Sequence, residues 1–542
     1  MVAGTCCSAS RITKTAALIT VWKFQEIRNS LQYRRSNPES WFLRPSGSQQ
    51  QGNADRALER VDPELGNSQR PGHSAKHFAF FNRIRNMSLT QDVANTVASL
   101  TFGELPAHVR EKAKLLILDH VGCMIAGSTS RGAKQMTPCL GRLDSGGAST
   151  VFGTSLRFHP ANAAHANAHS ASMLSLDDSY ILFGHPGASI IPAALAVAED
   201  VGSSGKELIA AIVGGYEMSL RLGTAMRPSE DRDRQVKGYA TWQIFGACTA
   251  ASLLHRFSAI QTADAYGLIP MHAPLPFLRK FHSRPMSLLK NNYGWANKGA
   301  ITAVDLVRAG FQGNRTVFDG YDGFWAMGGS DRFEPSEMLN RWGERYFILE
   351  TGFKPFGVCR WIHTAVDCLR ALLTRHSFGR ADVNGIHVET VSEFVRDFNG
   401  PWPQSTVEAA FHIPYALALE LHDKSSATGL REDDLADKNL EETASRISLS
   451  TLAGADEKFY AKKLLPARVN VTLRNGEALS EQAEIPTGAP GGPAFGPAEV
   501  EAKFLTLASP IIGEANAVHL KQALLELESL SVREALESCA LP

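Results

Sequence analysis

From Ser88 onward the apolar residues return at three- and four-residue steps. Val93, Val97 and Leu100 form one stripe, and residues 109–117 with Val121 form the next, across a break at Gly103-Glu104-Leu105-Pro106. That spacing places each set on one face of a helix and predicts a helical hairpin. Alanine-rich apolar stretches follow at 161–175, 189–202, 206–222, 241–255, 261–271 and 296–309. Their small side chains allow close approach, which predicts buried helices around a common core.

Near residue 345 the texture changes. Residues 347–349 and 387–391 read as short strands, and 467–474 followed by Asn475-Gly476 reads as a β-hairpin whose turn needs positive φ at both central residues. Helices are expected between them at 361–376 and 406–422, and from Pro497 the pattern is helical again. The fold class is therefore mainly α with an inserted α+β lid. A discontinuous helical domain at 88–344 resumes at 494–542, and the lid occupies 345–486.

Composition narrows the function. A chain of 542 residues exceeds what one hydrophobic core usually serves. Lys+Arg and Asp+Glu are equal at 55 each, which removes the electrostatic case for a nucleic-acid partner. The longest apolar run, around Ile190 to Ala198, stops at Glu199 and Asp200, so no membrane span is expected. Cysteines at 6, 7, 123, 139, 248, 359, 368 and 539 form no CxxC pair and no Cys/His group at zinc spacing. No metal and no iron–sulfur cluster is expected, and scattered thiols suit a reducing compartment. Up to about residue 50 the chain carries Arg11, Lys14, Lys23, Arg28, Arg34, Arg35 and Arg44 against Glu26 and Glu39. Residues 1–86 thus read either as a transit-like, disordered extension or as an appended start before Met87, giving a mitochondrial or cytoplasmic location.

Three polar clusters interrupt the apolar, helix-forming background. In the first, Asp177-Asp178 precedes His185-Pro186-Gly187 at a helix start, where paired carboxylates and an imidazole can relay a proton. Adjacent aspartates also occur as plain helix caps. The second, from Lys290 to Lys298, offers ammonium groups beside Gly294 and Gly299, or simply a basic helix start. The third, Lys354-Pro355-Phe356-Gly357-Val358-Cys359-Arg360, is a bent loop that can present cations into a cleft between lobes. Cys359 there is either a nucleophile or a small packed residue.

Taken in order, these clusters carry a resemblance. Residues 93–106 and 112–128, then Leu176-Asp177-Asp178, His185-Pro186, Gly214-Gly215-Tyr216-Glu217, Gly310-Phe311-Gln312-Gly313 and Lys354-Pro355-Phe356 through Cys359-Arg360, follow the order found in the MmgE/PrpD family, so the segment from 88 to 540 resembles that family. The resemblance implies a homodimer of two-domain subunits acting on a small polycarboxylic acid without metal or organic cofactor. It implies that His185 exchanges a proton with a substrate carbon and that Asp177 and Asp178 position it. It places Lys290, Lys354, Cys359, Arg360 and Tyr415 around the substrate. Preorganised cations suit that chemistry, because removing a proton beside a carboxylate builds negative charge.

The chain departs from the decarboxylase-like members at Ser172 and Ser175, where those members usually carry a histidine and an acid. It also carries 237–242 (Lys-Gly-Tyr-Ala-Thr-Trp) where they carry a Gly-x-His segment. Dehydration of 2-methylcitrate or a related alkylcitrate is therefore the leading expectation. A cis-aconitate-type decarboxylase is the alternative, and a dimeric binding protein that has lost catalysis is a third.

Overall fold

The computed structural model describes residues 88–537 apart from 182–183, 237 and 278–282. The expectation for 1–86 lies outside the described residues.

The six apolar stretches all form helices: Pro160–Met173, Pro186–Val201, Gly205–Ala225, Ala240–Leu254, Ala259–Leu268 and Tyr293–Arg308. Four of them begin at a side-chain cap or a proline. Ser204 and Ser258 close capping boxes with Glu207 and Gln261, and Pro160 and Pro186 occupy the first turn. The chain is mainly helical with a small α+β part, as expected. Ala240–Leu254 packs against Gly205–Ala225 and Pro186–Val201, and Gly215 and Gly246 let those backbones meet: a Cβ on Gly246 would stand 2.6 Å from the carbonyl of Gly215. Helix Pro497–Ile512 lies along Ala107–Gly127, so the chain returns to the first core after the lid.

The lid has its own apolar core, built on a four-stranded sheet in the order 447–451, 383–390, 467–473, 478–483. The first pair is parallel and the others antiparallel. Along Ala467–Leu473 every second residue is buried, the alternation that gave the strand away.

Three local expectations need correction. Residues 347–349 are not a strand but part of a 3-10 turn, Phe347–Glu350, because the Ile348 amide is taken by the Glu217 carboxylate at 3.3 Å rather than by a neighbouring strand. The hairpin turn has positive φ at Gly476 alone, at 90°. Leu473 both accepts from the Gly476 amide and pairs with Glu477, a three-residue loop with glycine in the left-handed position. The helix expected over 406–422 is two pieces, Thr406–Ala409 and Ile413–Leu421, because Pro414 can only start a helix and the His412 ring accepts from the Tyr415 amide at 3.0 Å as its cap. Among the described residues no helix is long and apolar enough to cross a membrane.

Candidate active site

His185 is the cap residue of helix Pro186–Val201, with its side chain 13 % exposed. Its Nδ1 lies 2.7 Å from the backbone carbonyl of Asp178 and 3.3 Å from Oδ2 of Asp177. Both are acceptors, so Nδ1 carries a proton, and in the neutral ring the lone pair is at Nε2. The ring packs edge-on against Tyr293 at 6.0 Å.

The two aspartates are fully buried but differently used. Asp178 accepts from the Gly187 amide at 3.1 Å and from the Tyr216 hydroxyl at 2.8 Å, and His120 Nε2 stands 3.4 Å away. Among the described residues Asp177 has no hydrogen-bond partner beyond its contact with His185. Burial alone would raise its pKa, yet His185, Lys290 and Lys354 hold its carboxyl well below the usual range.

Cations come from both lobes. Lys290 sits in a left-handed kink, φ 51°, just before helix Tyr293–Arg308, and its ammonium donates to Ser175 Oγ at 2.7 Å and to the Ser172 carbonyl. Lys354 is fully buried and its ammonium has no hydrogen-bond partner among the described residues. Burial pushes it down to about 7, against the pull of Asp177. Arg360 is committed to the protein, since its three nitrogens donate to Ser179 Oγ, the Thr487 carbonyl and the Phe353 carbonyl. It staples the lid to the 175–180 turn, so as a substrate grip it has no spare geometry. Burial raises the Cys359 thiol, the opposite of an activated nucleophile.

A cavity of about 370 Å³ opens in front of His185, bounded by residues of both lobes. Ser179, Tyr239, Asn291, Cys359 and Arg360 also face it, and Ile181, Met286, Trp361, Phe398 and Phe411 give it an apolar wall. Asp177, Asp178, Lys290 and Lys354 are not on its surface; they form the layer behind His185. Tyr415 is not there either. It is buried in a third small core with Leu419 and Leu440, its ring 5.3 Å from Trp402, because helix Ile413–Leu421 turns that face away from the cleft. The structure thus gathers His185, both aspartates, both lysines, Cys359 and Arg360, and leaves Tyr415 out.

Four supporting groups received no role from the sequence: Asp119, His120, Tyr216 and Lys503. The ammonium of Lys503, on the returning helix, donates at 2.6 Å both to Asp119 and to the Leu176 carbonyl just before the aspartate pair. The signal was present. Asp119-His120 interrupts an otherwise apolar helical run, and Lys503 falls on the same face as Val500, Phe504 and Leu507. Charge on an apolar stripe marks a buried partner.

His120, Asp177 and Asp178 bring one donor atom each to within 4.8 Å of one another, a spacing a metal ion can use. The surroundings oppose a cation: Asp178 is taken up by an amide and a hydroxyl, and the fields of Lys290, Lys354 and Lys503 already fall on these acids.

These features belong to a lyase of mainly helical build. The chain is a member of the MmgE/PrpD family: the family's N-terminal domain matches residues 91–335 and its C-terminal domain 356–528. A cis-aconitate decarboxylase-like protein of Aspergillus oryzae is 25% identical over 467 residues, covering 82% of this chain and 95% of the relative. The cis-aconitate decarboxylase of Aspergillus terreus is 22% identical over 469 residues, with 82% and 94% covered. That of Homo sapiens is 24% identical over 459 residues, with 82% and 92% covered.

Proposed function

We propose that the chain eliminates water from 2-methylcitrate or a related alkylcitrate, with His185 as the base. The observation that carries this reading is the fixed tautomer of His185: Nδ1 is occupied by the Asp178 carbonyl and the Asp177 carboxylate, so a neutral ring has its lone pair at Nε2. A resting base suits a reaction that begins by taking a proton from a carbon next to a carboxylate. Asp177 stabilises the imidazolium formed in that step, and the imidazolium returns the proton to the hydroxyl as its C–O bond breaks, so that water leaves. From the layer behind His185, Lys354 and the neighbouring Lys290 lend a positive potential that favours the negative charge growing on the substrate. The apolar wall of Met286, Trp361, Phe398 and Phe411 suits the alkyl substituent of such an acid.

The names of the relatives favour a second reading, decarboxylation of cis-aconitate or a similar acid. In that chemistry carbon dioxide leaves first and His185, protonated beforehand, returns a proton to the carbanion. Incubation with 2-alkylcitrates and with cis-aconitate, following alkene absorbance and trapped carbon dioxide, separates the two. Alkene formation without carbon dioxide is expected. Carbon dioxide release transfers the assignment to the second reading, and silence on every acid removes both.

The proposed working unit is a homodimer that needs no cofactor. Met271, Leu275 and Trp295, all exposed, are apolar positions for a second copy to cover. Sedimentation equilibrium at the monomer mass would remove that part of the proposal.

A further inference from the structure

His120 lies on none of the cavity's surface, yet its surroundings fix its state. It is 0 % exposed at the centre of helix Ala107–Gly127. Its Nδ1 is 3.0 Å from the carbonyl of Leu116, which can only accept, so that nitrogen carries a hydrogen. In a neutral ring the other nitrogen, Nε2, would then turn its lone pair toward Oδ1 of Asp178, 3.4 Å away. Two facing acceptors are repulsive, and a second proton converts the repulsion into an ion pair.

We propose that His120 is a positioning residue held as an imidazolium, which neutralises Asp178 and leaves Asp177 to act alone as the carboxylate behind His185. The proposal rests on the reading of His185 as the group that moves the proton. The ring is also mechanically tied to that group. A Cβ on Gly187 would stand 2.2 Å from Cε1 and 2.3 Å from Nε2 of His120, so only glycine lets the first turn of the His185 helix rest on this imidazole. Burial would lower the His120 pKa, but Asp178, Asp119 and Asp177 together raise it.

The charged and titratable groups around this pair come from every element packed on it. Lys112 and Asp119 share the His120 helix, Asp177 and Asp178 form the turn, and Tyr216 comes from Gly205–Ala225. Lys503 arrives on the returning helix, and Lys290, Lys354 and Arg360 from the kink and the lid. Asp119 is shared with Lys503, whereas Asp178 faces no ammonium at ion-pair distance among the described residues. Its compensating positive charge must therefore come from His120.

The test uses the full-length protein labelled with nitrogen-15 histidine. One ring should show both nitrogens still protonated at a pH where an ordinary histidine is neutral, a pattern no free histidine gives. That signal should disappear in His120→Gln. If every ring in the wild-type protein shows the neutral pattern at that pH, the proposal is overturned. This spectrum needs no substrate, so it decides the matter even if the proposed reaction is wrong. In the activity arm, His120→Gln leaves Asp178 uncompensated. The acid limb of the kcat/KM profile should then move to higher pH by about one unit. Adding Asp178→Asn should move it back. A loss of kcat with the limb unmoved would mean that His120 only fills space.

Discussion

The floor of the cleft and its lid wall are built from opposite materials. The floor, a layer behind the cavity surface drawn from Ala107–Gly127, the 175–181 turn and Pro497–Ile512, is a buried polar network in which Lys503 is paired with Asp119 and Asp178 accepts from Gly187 beside His120. The lid wall is aromatic: Trp361 stacks on Phe394 at 4.9 Å and meets Phe459 edge-on at 5.2 Å. Its cavity face carries Arg396 and the already committed Arg360, and behind that surface lies Lys354, whose ammonium has no hydrogen-bond partner among the described residues. Charge whose position matters is fixed by the rigid helical lobe, and the shape and the vacant grip come from the lobe that closes over it.

The sharpest way to break this comparison is at the shared histidine. His185→Asn should lower kcat by about a thousandfold with little change in melting temperature. A loss of less than tenfold, measured on whichever acid is turned over, would mean that the floor does not carry the chemistry. On the floor, Lys503→Met should destabilise the protein by about 3 kcal/mol in denaturant titration, because it strands Asp119 without a partner.

On the lid, Lys354→Met should do the reverse. It should lower kcat/KM about a hundredfold yet stabilise the fold by about 1–3 kcal/mol by removing an unpaired buried ammonium. The sign of its pH dependence follows from burial. The folded pKa, about 7, lies below the unfolded 10.5, so the destabilisation is full below pH 7 and fades as pH rises toward 10.5. Substrate affinity should run the other way, weakening above about pH 7 as the ammonium loses its proton, and the Lys354→Met profile should lack that limb. A smaller effect is expected at Trp361→Leu, about 1–2 kcal/mol of stability, with a greater loss of turnover for alkylated acids than for citrate. The smallest is Cys359→Ser, within about threefold in kcat/KM, since burial disfavours its thiolate.

The helices were legible because their apolar periodicity and their capping residues agree. The 347–349 stretch was misread because three apolar residues in a row fit a strand as well as a buried turn. What decided between them is Glu217, a partner 131 positions away. Site residues in polar interruptions, such as Asp177 and His185, stood out. Tyr415 was misplaced because sequence order cannot say which side of a short helix faces a cleft. Asp119, His120 and Lys503 were present as charges on apolar faces, but their pairing is long-range and no local pattern specifies it.

The contact between Lys503 and Asp119 joins residues 384 positions apart. A nascent chain can emerge with the histidine, both aspartates and the whole lid already synthesised and still lack the clamp on the turn that carries them. Competence therefore arrives late in translation, when the last long helices leave the ribosome. Any stop codon ahead of that point leaves a protein with every reacting group encoded and its floor unfastened.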